Sequence, residues 1–449
     1  MKFRTSAAGA FALMVAGGVS LAACSTSPSS PSSSSTTSTP ISSVTGVPLG
    51  NYHPVSNYAA FVGGSGKADN SKSPIYIGVV NQQGGTADIA PEWTDGTTLA
   101  ADFINNQAGG IDGHPLKLVV CGIPDTTSAA QQCGEEFANN SSIQTVAMGA
   151  VVIGNQPLEQ ALLPTKKALV MGVTILPVDS TYKYGFVLYG DATRVEAPIG
   201  QFIHEFLPKV KSVSIIYANV PGSNVPNEVI ASTLEYYHIS VKLTAFDPTS
   251  ANITAPVIAS GAATAGLVID GAGNPVQCSD VYQALKQLNI KTPVLANVPC
   301  DSAVTAQGDG GALPVGWYYA SANPLPGDPD DPSLAAFKAV ADKYGDPTGA
   351  SDAWVADAFG QVLTIAKVYN EILKSGGTIT EATVNKGLKS LKGAIPQGPP
   401  QLQCGSIKSA PAICNEEVSF FQNTSPGVFK AIARWIGAPP GWSPPAGLF

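Results

Sequence analysis

The sequence has few charged residues and no excess of basic ones. Only 12% of its 449 residues are charged, and 32 acidic side chains outnumber 24 basic ones, which gives a formal net charge of -8. Proteins that bind nucleic acid meet the phosphate backbone with clusters of Lys and Arg. The composition therefore argues against nucleic acid as a partner.

Motifs of common exported enzymes are also missing. The chain contains neither a GxSxG elbow nor HExxH, and its 4 histidines lie in no recognisable catalytic motif. A pair of hydrolytic carboxylates leaves no comparable mark, because its two acids need not be close in sequence. We therefore expect a protein that is not an enzyme, and an exported hydrolase is the alternative.

Residues 1–23 are typical of a signal peptide. Lys2 and Arg4 precede an apolar run that is too short and too rich in glycine for a membrane span, and no later apolar run reaches that length. Leu21–Cys24 resembles the lipobox of bacterial lipoproteins, in which the cysteine is acylated and becomes the first residue. We expect Cys24 to attach the protein to the outer face of the cell membrane. The alternative is an ordinary secretory signal with a cysteine there by chance.

A segment of low complexity follows this cysteine. Residues 25–40 consist only of Ser, Thr and Pro. Such a segment cannot bury enough apolar surface to offset the chain entropy that folding removes. We assign residues 24–72 to a linker that holds a folded domain away from the membrane.

The remaining six cysteines form three pairs that are close in sequence. They are Cys121 with Cys133, Cys278 with Cys300, and Cys404 with Cys414. Six cysteines allow fifteen connectivities, and the sequence does not choose among them. We expect the local pairs to form disulfides, as suits an exported protein. A zinc site is the alternative, but no pair has CxxC spacing, so we expect neither a metal nor a cofactor.

From Pro74 onward, strand-like and helical segments alternate. Ile75–Val80 (IYIGVV) and Leu116–Cys121 (LKLVVC) are short apolar runs, and Pro91–Gln107 between them has the composition of a helix. A second alternating series starts at Ser212, and the last two strand-like segments have the spacing of a hairpin. The pattern predicts an α/β protein with two open parallel sheets, each covered by helices on both faces.

Ile104–Val120 (INNQAGGIDGHPLKLVV) resembles a family signature. It is similar, with one inserted residue, to the INxxGGIxGxxxxL pattern of leucine/isoleucine/valine-type (type I) periplasmic binding proteins, the solute receptors of ABC importers. Glycines suit the turn at which this helix ends. Ala161–Gly172, Ser212–Asn219 and Asp330–Leu363 repeat the family's order, so the resemblance extends over about residues 74–436.

The resemblance implies two Rossmann-like lobes joined by three crossing segments, near residues 191–195, 300–306 and 400–410. We expect the first lobe to comprise residues 73–192 and 305–402, and the second to comprise 193–304 and 403–436. A Pro/Gly-rich tail over residues 437–449 completes the chain. Ligands of such sheets bind at the carboxyl ends of the strands.

The resemblance also indicates which loops meet the solute. The first-lobe candidates are Gln82, Gln83, Gly85, Thr86, Trp93, Gly154, Asn155 and Thr174. The second-lobe candidates are Asn219, Ser223, Asn224, Asp270 and Asn274. Each has an alternative role: Trp93 stacks on a ligand or packs in the core, and the polar side chains contact a ligand or complete a turn.

Two of these loops depart from the family pattern. Amino-acid receptors of this type hold their ligand with Ser and Thr, whereas this chain has Gly84 and Gly85 in one loop and no hydroxyl between Val151 and Asn155 in another. Apolar residues stand nearby, at Ile153, Ile175 and Leu176. A pocket of this kind favours a solute less polar than an amino acid.

The resemblance implies a membrane-anchored, monomeric receptor that delivers a small solute to an ABC permease. A ligand sensor that signals to a membrane receptor has the same fold and is the alternative.

Overall fold

The computed structural model describes residues 52–85, 90–174, 176–192, 194–220, 223–345 and 349–445. The predicted signal peptide, Cys24, Thr86 and Ile175 lie outside these residues. The described chain forms two α/β lobes, each with its own sheet. None of the described helices combines the length and the hydropathy that a membrane span requires.

The first lobe contains five parallel strands in the order β2-β1-β3-β4-β5. These strands are β1 (Ile75–Asn81), β2 (Leu116–Gly122), β3 (Ile143–Met148), β4 (Ala168–Thr174) and β5 (Gly185–Asp191). The helices of this lobe are α1 (Tyr58–Val62), α2 (Glu92–Gln107), α3 (Thr127–Asn139), α4 (Asn155–Leu162), α5 (Pro177–Thr181), α11 (Pro332–Tyr344), α12 (Ala353–Lys374) and α13 (Glu381–Ser390). Every residue of β4 and β5 is buried, as expected for parallel strands covered on both faces.

The second lobe contains seven strands in the order β12-β11-β10-β9-β8-β6-β7. They are β6 (Ser212–Ala218), β7 (Ser240–Phe246), β8 (Leu267–Asp270), β9 (Val294–Ala296), β10 (Tyr318–Ser321), β11 (Val418–Ser425) and β12 (Val428–Ile436). Its helices are α6 (Pro198–Phe206), α7 (Asn224–Tyr236), α8 (Thr254–Ser260), α9 (Pro275–Gln287) and α10 (Ala303–Gly308). The predicted hairpin is β11 and β12, whose antiparallel pairing makes this sheet mixed rather than wholly parallel.

Three segments connect the lobes. The first leaves β5 at Asp191, and the second leaves β10 at Ser321 and leads to α11. The third lies between Ile413, which bridges β5, and the start of β11 at Val418. The predicted second and third crossings are therefore corrected to residues 322–331 and 414–417. The predicted lobe boundary at residue 305 was too early, because β10 pairs with β9 and stays in the second lobe.

The linker prediction is wrong for residues 52–72. Tyr52 packs on Trp435 of β12 in the second lobe, and the residues from Tyr58 onward pack against the first lobe. The buried ring of Tyr58 has edge-on contacts with Phe103 and Phe359 at centroid distances of 6.0 and 5.1 Å. Its hydroxyl donates to the Ser333 carbonyl at 2.8 Å and accepts from Gln397 Nε2 at 2.7 Å. One aromatic anchor thus fixes a segment whose composition is that of a linker.

The predicted tail is also packed as far as Trp442. This indole is buried in a cluster with Ala438 of the same tail and with Ala197 and Val229 of the second lobe. The carbonyl of Pro440 accepts a hydrogen bond from the Tyr236 hydroxyl at 2.9 Å.

The three local cysteine pairs are disulfides, which confirms the expected pairing. Six cysteines are thereby removed as zinc ligands. The Cys404–Cys414 bridge closes the loop immediately before the third connecting segment.

The packing of Tyr58 gives a graded prediction for stability. Tyr58→Ala should lower the free energy of unfolding by ~3–5 kcal/mol because it removes a buried ring. Tyr58→Phe keeps the ring and loses the hydrogen bonds, so it should cost only ~1–2 kcal/mol. Urea denaturation measures both values. Wild-type stability for Tyr58→Ala would restore the linker assignment.

Candidate functional site

Both sheets direct the carboxyl ends of their parallel strands toward the connecting segments. β5 ends at Asp191, where the first segment begins, and β10 ends at Ser321, where the second begins. Strands parallel to these two end at the same edges. Ligands of open α/β sheets bind at such edges. We call the space between the two edges the cleft.

A buried ion pair joins two of the connecting segments. Arg194 Nη1 lies 2.8 Å from Glu416 Oε1, and the two side chains are only 5% and 11% exposed. Asn415, beside Glu416, donates through Nδ2 to the Tyr189 carbonyl at 3.3 Å. The first and third segments are therefore held to each other and to β5.

The second connecting segment is held to the first lobe by Asn323. Its Nδ2 donates to Asp357 Oδ1 and, at 3.2 Å, to the Gln397 carbonyl. All three side chains are buried. Asn323 thus attaches this segment to α12 directly after it leaves β10.

The two glutamines predicted for the site have different surroundings. Gln82 is fully buried, and its amide donates to Asp125 Oδ1 at 2.9 Å and accepts from the Val152 amide at 3.0 Å. Gln83 is half-buried, and its Oε1 accepts from Thr94 Oγ1 at 2.5 Å. Gln82 therefore positions three loops, whereas Gln83 remains at the surface of the cleft.

Two glycines allow the first-lobe loops to approach each other closely. A Cβ on Gly85 would overlap the carboxylate of Asp125. Gly154 precedes α4 with a φ of +82°, and a Cβ there would overlap Ala130. Both glycines place backbone, rather than side chains, at the edge of the cleft.

Trp93 packs inside the first lobe, which corrects the prediction that it stacks on a ligand. It is 0% exposed, and Gly172 leaves the space that its indole fills. Its Nε1 donates to Gln361 Oε1 at 3.1 Å, and Gln361 Nε2 donates to the carbonyls of Met148 and Val170. Trp93 and Gln361 therefore fix α2 and α12 on the ends of β3 and β4.

Asn155 also has a structural role, in a buried acidic group. Its Nδ2 donates to the two carboxyl oxygens of Asp179 at 2.9 and 3.0 Å. Glu159 shares a further hydrogen bond with Asp179. Burial is the main cause that raises the pKa of Glu159 far above its ordinary value, and the neighbouring Asp179 is the second. Glu159 is therefore protonated at neutral pH and donates to Asp179.

Thr174 lies where the first connecting segment begins. Its Oγ1 donates to Asp191 Oδ2 at 3.2 Å, and both side chains are buried. The two residues are register partners at the ends of β4 and β5. The hydroxyl therefore fixes the position of Asp191.

The second-lobe candidates lie at the ends of β6 and β8. Asn219 and Asn224 are exposed, whereas the Ser223 hydroxyl lies 2.8 Å from the Val220 carbonyl within its own turn. Asn274 caps α9 by accepting from the Gln277 amide at 3.0 Å. Asp270 is 0% exposed, and its Oδ1 accepts from the Ala272 amide at 3.3 Å.

Several buried polar groups near Asp270 were missed by the sequence analysis. Asp301 follows the short helix after β9, and Tyr319 lies on β10; they are 6% and 1% exposed. Asp352 and Asp357 lie at the start of α12 in the first lobe and are also buried. The available signal was an aspartate shortly after an apolar strand, as in VLANVPCD.

Among the described residues, one group has the spacing of metal ligands. It combines Asp270 with Cys278 and Cys300, whose ligand atoms lie within 4.8 Å of one another. The two sulfurs form a disulfide and supply no thiolate. This group is therefore not a metal site.

The protonated Glu159 gives a pH-dependent prediction. The unfolded chain releases this proton above about pH 4.5, whereas the folded chain retains it, so Glu159 lowers the stability as the pH rises. Glu159→Gln keeps the hydrogen bond without a titratable proton. It should therefore stabilise the protein by on the order of 1–3 kcal/mol at pH 8 and much less at pH 5.

Urea denaturation at the two pH values measures this difference, and Glu136→Gln, on the exposed face of α3, is the matched control. An equal effect of Glu159→Gln at pH 5 and pH 8 would show that Glu159 is ionised in the folded protein.

A model of the periplasmic binding protein family matches residues 74–405. Curated proteins gave no match. The branched-chain amino acid transporter substrate-binding protein LivJ from Streptococcus pneumoniae, in complex with isoleucine, has a TM-score of 0.65 at 15% identity, over 81% of this chain and 100% of that one.

Two further solved structures are similar. A branched-chain amino acid ABC transporter protein from Thermus thermophilus with bound valine has a TM-score of 0.67 at 14% identity, over 82% of this chain and 97% of that one. A fatty acid ABC transporter substrate-binding protein from Thermomonospora curvata has a TM-score of 0.66 at 15% identity, over 83% and 95%. The TM-scores show the two-lobed type I fold, and the family match over residues 74–405 shows that the chain belongs to the periplasmic binding protein family.

Proposed function

We propose that the protein is a lipid-anchored extracytoplasmic receptor that binds a small solute in the cleft and delivers it to an ABC permease. The observation that carries this proposal is the arrangement of two sheets whose carboxyl edges face one cleft at the connecting segments. The relatives named above are solute-binding proteins, which favours a binding function over an enzymatic one.

Binding would work by closure of the two lobes. A solute that contacts both edges binds the closed arrangement more tightly than the open one, and this difference in affinity stabilises the closed arrangement. The Arg194–Glu416 pair keeps the first and third connecting segments together during this motion. Bending is therefore confined to a few residues between the ends of the strands and these contacts.

The cleft suits a solute that is less polar than an amino acid. Ile153 and Leu176 are half-buried at the edge of the first lobe, where related receptors have hydroxyl groups. Among the described residues, the polar groups at this edge include Gln83 and the backbone of Gly85 and Gly154. We assign these groups, with Asn219 and Asn224 of the second lobe, to contacts with the solute.

Free leucine should bind weakly or not at all. Each hydrogen bond to a charged ligand group is worth ~1.5–3 kcal/mol, so the loss of two weakens binding by roughly two to four powers of ten. Titration calorimetry measures this affinity, and a thermal-shift screen of less polar solutes is the companion experiment. Sub-micromolar affinity for leucine would refute the assignment of specificity, although the receptor function would stand.

Lipid attachment at Cys24 is tested by Cys24→Ala. The variant should leave the membrane fraction or remain unprocessed, because no thiol is left to acylate. Cell fractionation and mass spectrometry of the intact protein measure the outcome, and the melting temperature of the folded domain should not change. A mature-sized variant that stays with the membrane at high salt would contradict the assignment.

A further inference from the structure

Unpaired acidic oxygens gather at the carboxyl edge of the second sheet. Asp270 ends β8 and Asp301 follows β9, and neither Oδ2 atom has a hydrogen-bond partner among the described residues. Asp309, at the end of α10, is buried beside them, with the Ser279 hydroxyl as its neighbour. These side chains are at most 7% exposed. Burial raises the pKa of all three carboxyl groups, so each favours its neutral form unless a cation compensates the charge.

A separate observation comes from neutral side chains. The Tyr319 hydroxyl is buried and has no partner in the described structure, and Asp309, Asp270 and Asp301 all act on its pKa. Asn227 Oδ1 is likewise unpaired and lies against Gly271, next to Asp270. A phenol and an amide oxygen therefore point to the same region as the carboxyl groups. The Asn227 oxygen can only accept a hydrogen bond, whereas the Tyr319 hydroxyl can donate as well as accept.

The first lobe adds more carboxyl groups from the opposite side. Asp352 and Asp357 of α12 act on Asp301 across the lobes. Among the cations of the described chain, Lys286 acts on Asp309 from the exposed face of α9, and Arg194 is paired with Glu416. A positive charge between the lobes would therefore be attracted from both sides.

The spacing of these groups favours an organic cation over a metal ion. Three or more carboxylate oxygens within the 4.8 Å span of one coordination sphere do not occur among the described residues. Hydrogen-bond acceptors that are more widely spaced suit a larger cation, whose N–H groups reach several partners.

We propose that the solute is an organic cation, an apolar body with an ammonium-type head, whose charged end is held by Asp270 and Asp301 with the Tyr319 hydroxyl. This inference rests on the proposed receptor function and specifies its ligand. The half-buried Ile153 and Leu176 of the first lobe face the apolar body. A molecule of this kind lacks the carboxylate of an amino acid, for which the loop from Val151 to Asn155 has no hydroxyl group.

Binding of a cation is linked to proton release. Burial raises the pKa of Asp301 to about 7. A hydrogen bond from Ser321 opposes this shift, and the nearby Asp352 adds to it. The cation requires the ionised form, and burial also raises the pKa of Asp270, so the affinity should fall as the pH is lowered through 7.

Four probes with the same branched carbon skeleton separate the possible head groups: 3-methylbutylamine, 3-methylbutanoate, 3-methylbutan-1-ol and leucine. Calorimetry with the full-length protein at pH 8 should give at least tenfold tighter binding for the amine than for the other three. Calcium chloride in excess should not compete. Tighter binding of the carboxylate, the alcohol or leucine, or displacement of the amine by calcium, would overturn the proposal.

Asp301→Asn should weaken amine binding at least tenfold and reduce its pH dependence around pH 7. Asp247→Asn, at the end of β7 on the same edge but exposed, is the matched control and should change neither. Tyr319→Phe, which removes only the hydroxyl, should weaken binding several-fold. If Asp301→Asn does not fold, this second variant tests the site. Unchanged affinity in a folded Asp301→Asn or in Tyr319→Phe would overturn the assignment.

The receptor function has a separate readout. A solute outside the amine class that raises the melting temperature would leave the receptor function intact and refute the cation. If no solute in a broad panel, amines included, changes the melting temperature, both proposals fail.

Discussion

The ion pair between Arg194 and Glu416 fixes the geometry on which the cleft depends. It joins the first and third connecting segments at a distance of 2.8 Å, in a place where neither charge has much contact with water. Removing Arg194 would leave the buried Glu416 carboxylate without its cation, which is costly. Asn323 fixes the second segment to α12 in a comparable way. With these contacts in place, the carboxyl edges of the two sheets border the same space.

The alternation of strands and helices could be read from the sequence because apolar runs such as IYIGVV and LKLVVC are local signals. The boundaries between the lobes could not be read in this way. β10 belongs to the second lobe because it pairs with β9, and pairing of strands is a long-range property. The segment before β1 has the composition of a linker, but the single ring of Tyr58 attaches it to α12.

The candidate site was predictable in its loops but less so in its side chains. Trp93, Asn155 and Gln82 follow strands as expected, yet their partners are distant residues such as Gln361 and Asp179. A sequence does not show whether such a partner exists, so a loop residue and a packing residue look alike. Asp301 was missed because the polar groups that surround it lie on β8, β10 and α12, which are distant from it in sequence.

Closure of the two lobes around a solute is the central claim. It is tested most directly by the distance between spin labels at residues 128 and 276, which are exposed near the starts of α3 and α9 on opposite edges of the cleft. The solute that gives the largest thermal shift should shorten this distance and narrow its distribution. A distribution unchanged at saturating solute would show that binding does not close the lobes, and would contradict the account.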